Sequence, residues 1–206
     1  MAQPLRQGCQ EQETAIAIIT KLETLYSGWS RLFMATVEVT EDLTIRHEIE
    51  DHGEAAVVLA YDPERRCALL IRQLRTGALF AKADPMLLEV PAGLIDKGET
   101  PEEAACRETM EEVGLSVRTL EPMGAVFPMP AVSSERVHLF LAAYSAADRV
   151  ALGGGVSAEN ERIEVLELSL ADIWRRLQTR EIVDLKTVTL VLMLRTAHPE
   201  LFENQV

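Results

Sequence analysis

The chain has 206 residues, 48% of them hydrophobic and 26% charged, and a formal net charge of −13. That length holds one large domain, or a domain with a small appendage, and buries a core without disulfides. The composition excludes a disordered, collagenous or low-complexity chain, and the acidity disfavours nonspecific binding to nucleic acid or an anionic membrane.

The N-terminal residues 1 to about 20 are polar and then briefly apolar, and read as a loosely held lead-in. From about residue 25 to 50 the pattern alternates at period two. Segments 33–39 and 43–49 read as two strands joined by the acidic turn Glu41-Asp42. A lone ribbon of this size is marginal in water, so it is expected to pack on the main domain or on a second copy of the chain. Strands follow at 55–60 and 67–73, with a turn at residues 62–66, and then at 87–90, ending in Pro91-Ala92-Gly93. Further strands are expected at 117–120, 137–144 and 163–168, with Gly153-Gly154-Gly155 as a flexible loop. Helices are expected at 170–178 and 184–195. The class is α+β, a sheet sandwiched between helices.

No apolar run approaches the roughly 20 residues of a spanning helix. The start of the chain has Arg6 but no apolar leader core. Cys9, Cys67 and Cys106 are odd in number and widely spaced, which fits neither a disulfide framework nor a zinc site. They read as reduced thiols of a cytoplasmic protein. His47, His52, His138 and His198 lack ligand spacing and read as structural, and Trp29 and Trp174 as packing residues.

The informative segment is 93–115. Thr100 and Glu103 form a capping box, Pro101 suits the first helical position, and Gly114 suits a left-handed end. A helix is therefore expected from Pro101 to Val113. On it Cys106, Met110 and Val113 are spaced as an apolar stripe toward the core, and Glu108, Glu111 and Glu112 cluster roughly opposite. Taken alone, such a charge run is usually a solvated face. Three carboxylates on one face also repel, and a hard divalent cation reverses the sign of that interaction.

Gly93, Glu99, Arg107, Glu108, Glu111, Glu112, Gly114 and Leu115 fall in register with the Nudix box, and the segment resembles that signature of the Nudix hydrolases. The one departure is Thr109, at a packing position where an aliphatic residue is usual. Seven fixed identities at about 7% each match by chance at roughly 10⁻⁸ per start. The resemblance implies a Nudix α/β/α sandwich with a mixed sheet, plus a small N-terminal antiparallel region. It divides the chain into 1–50, for dimerisation, and 51–206. It implies hydrolysis of a nucleoside diphosphate linked to another moiety, with Mg²⁺ or Mn²⁺. Glu108 and Glu112 resemble the principal metal ligands, with Glu111 assisting and the Ala92 carbonyl as a further ligand. Arg107 resembles the residue that orients the glutamates, and Glu99 its partner or an outer ligand that supports the metal site.

Other residues resemble the ADP-ribose/nucleotide-sugar pyrophosphatase branch. These are the segments 71–75 and 88–96, Pro130 sixteen residues after Gly114, and Glu135 five beyond that. Glu135 matches the loop glutamate proposed as catalytic base, although Ala131 stands where glycine is common. Arg72, Arg75, Glu89, Gly93 and Glu99 are the implied substrate-binding positions. Arg72 and Arg75 are candidate phosphate or dimer-site residues, with strand arginines in ion pairs as the weaker reading, and Glu89 reads equally as an arginine's partner or a sugar ligand. The glycine-rich loop, segment 163–168 and Asp184-Leu185-Lys186-Thr187 are similar to a GDP-mannose-hydrolysing subgroup. The expected activity is cleavage of a nucleoside diphosphate sugar, ADP-ribose narrowly ahead of GDP-mannose, by a homodimer that binds neither nucleic acid nor membrane. A triphosphate pyrophosphatase, a coenzyme A or RNA-cap hydrolase, and a non-catalytic nucleotide-sugar sensor are the weaker alternatives.

Overall fold

The computed structural model describes residues 17–155 and 163–203. The chain divides into two compact units, 1–52 and 53–206.

In the first unit, β1 (Ile18–Ser27), β2 (Arg31–Thr40) and β3 (Leu43–Asp51) form an antiparallel sheet in that order. The β2–β3 hairpin turns at Glu41-Asp42, with Thr40 opposite Leu43. β1 is a strand where the sequence suggested only a lead-in. Its register shifts between Ile19 and Lys21 and again between Thr24 and Tyr26, which breaks the period-two pattern. Ala35 is the one buried apolar residue among the described residues of this unit. Ile18, Ile19, Leu22, Leu25 and Tyr26 are exposed. Trp29 is 79% exposed and stacks on His52 at 5.1 Å, so it is not the packing residue its size suggested.

The second unit is built on a mixed sheet. Its strands are β4 (Ala55–Asp62), β5 (Cys67–Leu74), β6 (Met86–Glu89), β7 (Ala92–Leu94), β8 (Glu121–Val126), β9 (Val137–Ala143) and β10 (Glu164–Ser169). The order is β10-β5-β4-β9-β8, with β6 on β5 and β7 on β4. Only the β4–β9 pairing is parallel. β4 is buried along its whole length because both its faces are covered. Val57, Leu59 and Tyr61 point to one side, toward α3 (Leu170–Gln178) and α4 (Leu185–Ala197). Ala56 and Val58 point to the other, toward Ala104 and Ala105 of α2 (Pro101–Val113). The small alanines on both sides let α2 lie close to the sheet. A short helix α1 (Thr76–Phe80) links β5 to β6.

The strand expected at 117–120 is absent. Ser116 donates to the Asp148 carbonyl, and Leu115 bridges Arg149, so this segment is held outside the ladder. Val117 and Leu120 supply apolar packing under α2 instead. β8 starts at Glu121, and its Pro122 is tolerated because β8 is an edge strand. Cys67 and Cys106 are free thiols; Cys9 lies outside the described residues. No described helix is long and apolar enough to cross a membrane.

Candidate active site

α2 begins and ends as its residues dictate. The Thr100 side chain accepts from the Glu103 N–H, and Glu103 accepts in return from the Thr100 N–H at 2.8 Å. Gly114 takes φ +69° and donates to the Met110 carbonyl. The face turned to the sheet differs from the expected stripe. It carries Ala104, Ala105, Thr109, Glu112 and Val113, while Cys106 and Met110 are only partly buried. Thr109 fits this face because its hydroxyl donates to the Ala105 carbonyl at 2.6 Å. Glu112 is therefore not on a solvated face. It is 2% exposed, and its carboxylate accepts the Ala92 N–H at 2.9 Å.

Ala92 and Gly93 belong to strand β7, not to a turn, and β7 brings them against this helix. A Cβ on Gly93 would lie 1.9 Å from a carboxylate oxygen of Glu108. Glycine is thus required by the Glu108 side chain, not by an unusual φ. The obstacle is the tip of a flexible side chain, so Gly93→Ala should fold and move Glu108. We expect its turnover to fall about ten- to a hundredfold with a melting temperature within a few degrees of wild type, as read by steady-state assay and thermal melt. An unchanged turnover would mean that the position of Glu108 is immaterial.

Arg107 ties the loop to the helix. It donates through Nε and Nη2 to both Glu99 oxygens at 2.9 and 3.0 Å, and to the Leu94 carbonyl at 2.9 Å. Its Nη1 donates to Glu108 at 2.6 Å and to Glu111 at 3.2 Å. The Arg107 guanidinium holds the Glu99 carboxyl below its ordinary value of 4.5. A carboxyl lowered in the folded state stabilises the fold above its unfolded pKa, and that contribution is lost as pH falls through the lowered value. The stability difference between pH 7 and pH 3 should therefore be smaller in Glu99→Gln than in wild type, as denaturant melts at the two pH values would show.

A second charged group stands beside Glu112. Arg75 grips the buried Glu89 through two 2.7 Å bonds. Glu89 is 1% exposed. Lys186 reaches Glu89 at 3.4 Å and Asp184 at 2.6 Å. Asp184 caps α4 by accepting the Thr187 N–H, and the Thr187 hydroxyl accepts from Val90 N–H at 2.9 Å. That link fixes the start of α4 to the end of β6. Glu89 holds the Arg75 guanidinium above its ordinary pKa, and the charges of Glu112 and Asp184 act the same way. Burial pulls the Lys186 ammonium down, but Asp184 and Glu89 outweigh it and leave it raised. Lys186 is a cation of the Arg75–Glu89 group that charge patterning alone did not single out. Its signal was the Asp184–Thr187 segment, whose cap orients it.

Glu135 lies in the loop that enters β9, and its N–H donates to the Ser133 hydroxyl. Val137 pairs with Ala55, which on its other edge pairs with Leu94. The loop thus opens at the end of the sheet where β7 ends at Leu94. Arg72 goes elsewhere. It alternates with Ile71, which packs with Val113, and pairs with Glu164 at 2.9 Å. It lines a cavity of about 740 Å³ with Leu88, Arg176 and Arg180, and no α2 residue borders that cavity.

The donor set is all oxygen, which suits a hard divalent cation. Glu108 and Glu112 both converge on Ala92 and Gly93 of β7. Among the described residues no three His, Cys, Asp or Glu side chains form a ready cage. Glu108 and Glu111 both share the Nη1 of Arg107. The residues fit a cation if these two turn part of their charge from Arg107 toward it.

A NUDIX domain model matches residues 51–188. The chain is 37% identical over 169 residues to the GDP-mannose pyrophosphatase of Salmonella typhimurium, covering 78% of this chain and 87% of that one. It is 36% identical over 184 residues to the GDP-mannose pyrophosphatase of Klebsiella pneumoniae, covering 87% and 91%. Its fold is similar to the crystal structure of an ADP compounds hydrolase, with a TM-score of 0.72 and 21% identity over 89% of this chain and 95% of that one. The chain belongs to the Nudix hydrolases, a family that generally works with divalent metal ions.

Proposed function

We propose that this protein hydrolyses the pyrophosphate bond of a nucleoside diphosphate sugar, giving a nucleoside monophosphate and a sugar phosphate, with Mg²⁺ or Mn²⁺. The observation that carries this is the convergence of Glu108 and Glu112 on Ala92 and Gly93, backed by Arg107 and flanked by Arg75, whose partner Glu89 also holds Lys186. In this reading Glu108 and Glu112 hold the cation, with Glu111 and the Ala92 carbonyl assisting. A divalent cation held there neutralises diphosphate charge and acidifies water.

The chain's own residues do the rest. Glu99 and Arg107 hold the glutamates in place. Arg75 and Lys186 present positive charge to the diphosphate; both are already paired with carboxylates, so they are held in position before substrate arrives. Glu135 takes the proton from the attacking water. Arg72, tied to Glu164, stands outside this set.

The names of the relatives put GDP-mannose beside ADP-ribose as the first substrates to test. A phosphatase-coupled phosphate-release screen over nucleotide sugars and nucleoside triphosphates, with Mg²⁺, tests the class. One dominant nucleotide sugar is expected. Preference for a triphosphate would overturn the substrate assignment and leave the box chemistry standing.

We also infer that the active form is a homodimer acting in the cytoplasm. A three-stranded sheet with five exposed large apolar residues on β1 does not bury enough to stand alone. Sedimentation should give twice the chain mass, and a monomer at micromolar concentration would refute the pairing.

A further inference from the structure

The C-terminal end of α2 is locked against a strap, residues 148–155, that the sequence presents only as a flexible glycine loop. A helix leaves its last four carbonyls without helical partners. Here Gly154 N–H donates to the Glu112 carbonyl at 2.8 Å, and Gly155 N–H to the Glu111 carbonyl at 3.1 Å. Val150 and Ala151 both donate to the Gly114 carbonyl, at 2.9 and 3.1 Å. The strap therefore takes the main-chain carbonyls of two of the three box glutamates on α2.

The approach is too close for a side chain. A Cβ on Gly153 would lie 2.4 Å from the Glu112 carbonyl oxygen and 2.6 Å from Val113 Cα. A Cβ on Gly114 would lie 2.2 Å from the Ala151 carbonyl oxygen. These obstacles are main chain, so no rotamer change relieves them. Gly153, Gly154 and Gly155 take φ of +73°, +110° and +79°, a run of left-handed residues that other side chains resist. Glu112 is thus fixed twice, by the strap at its carbonyl and by Ala92 N–H at its carboxylate.

We propose that the strap is a positioning element of the metal-holding site, in which Gly153 sets the last turn of α2 and so places the Glu112 carboxylate against Ala92 and the Glu111 carboxylate beside Arg107. The proposal rests on the reading of Glu108 and Glu112 as metal ligands. A strap that merely ended the helix would affect stability and leave the metal affinity of the folded protein alone.

The test is Mn²⁺ binding to the full-length protein by electron paramagnetic resonance, well below each variant's melting temperature, together with kcat and KM for a nucleotide sugar. Gly153→Ala should bind Mn²⁺ about tenfold or more weakly. Its kcat should fall by a similar factor while KM changes less than about threefold. Gly154→Ala is the second variant. Its Cβ would meet only the Ile163 carbonyl, at 3.9 Å, so it carries the φ strain without the collision. Should Gly153→Ala not fold, a loss of about threefold or more in Mn²⁺ affinity in Gly154→Ala supports the proposal. Mn²⁺ affinity within twofold of wild type in whichever of the two is decisive overturns it. Glu112→Gln serves as the reference. If it loses Mn²⁺ and Gly153→Ala does not, the strap proposal alone fails. If Glu112→Gln binds Mn²⁺ normally, the metal-site reading fails and takes the strap with it.

Discussion

Glu112→Gln is expected to lower kcat by about 10³-fold or more, which is about 4 kcal/mol of transition-state stabilisation. The substitution conserves volume and keeps an oxygen to accept the Ala92 N–H at its 2.9 Å position. The site is buried, so the neutral amide also avoids the desolvation cost of a charge. The fold should therefore persist, with a melting temperature equal to or above that of wild type. What is lost is the negative charge that the proposed role of Glu112 as a metal ligand requires. Steady-state kinetics together with a thermal melt separate the two effects. Near-normal turnover in a folded variant would remove Glu112 from the metal set.

Arg107→Met is expected to act on both stability and rate. Arg107 makes five hydrogen bonds, to Glu99, Glu108, Glu111 and the Leu94 carbonyl. Methionine keeps the aliphatic stem and leaves three carboxylates crowded without their cation. Hydrogen bonds to charged groups contribute about 1.5–3 kcal/mol when buried, and the guanidinium here is 30% exposed. A net loss of about 2 kcal/mol, or about 4–8 °C in melting temperature, is the expected result. Turnover should fall about a hundredfold, because Glu108 and the 94–99 loop lose their common anchor. Arg107→Lys should recover little, since one ammonium cannot serve both Glu99 oxygens and the Leu94 carbonyl together. A double-mutant cycle with Glu99→Gln should show strong coupling; simple additivity would mean that the two residues act separately.

The bounds of α2 were legible because their signals are local. A capping box, a proline at the first turn and a glycine at the end lie within fifteen residues, and the box carboxylates keep fixed spacing. Its buried face was not legible. The sheet side is Ala104, Ala105, Thr109 and Glu112, small or polar residues that a hydrophobicity pattern passes over in favour of Cys106 and Met110. The reason is tertiary: alanines on β4 and α2 allow close approach, and the Ala92 N–H satisfies Glu112 inside. β1 was missed because two register shifts break its alternation. The Arg75–Glu89–Lys186 group joins residues up to 111 positions apart (75 to 186), which no local pattern reports. The glycine strap shows the same limit from the other side. Three glycines signal freedom in a sequence, and here their lack of side chains serves close packing on a helix end.

The central claim is metal-dependent cleavage between the two phosphorus atoms of a nucleotide sugar. It is tested most directly by incubating the protein with GDP-mannose, and in parallel with ADP-ribose, and separating the products by anion exchange. The account predicts equal amounts of nucleoside monophosphate and sugar phosphate from at least one of them, lost on treatment with EDTA and restored by Mg²⁺ or Mn²⁺. Release of nucleoside diphosphate and free sugar, or turnover indifferent to EDTA, would contradict it.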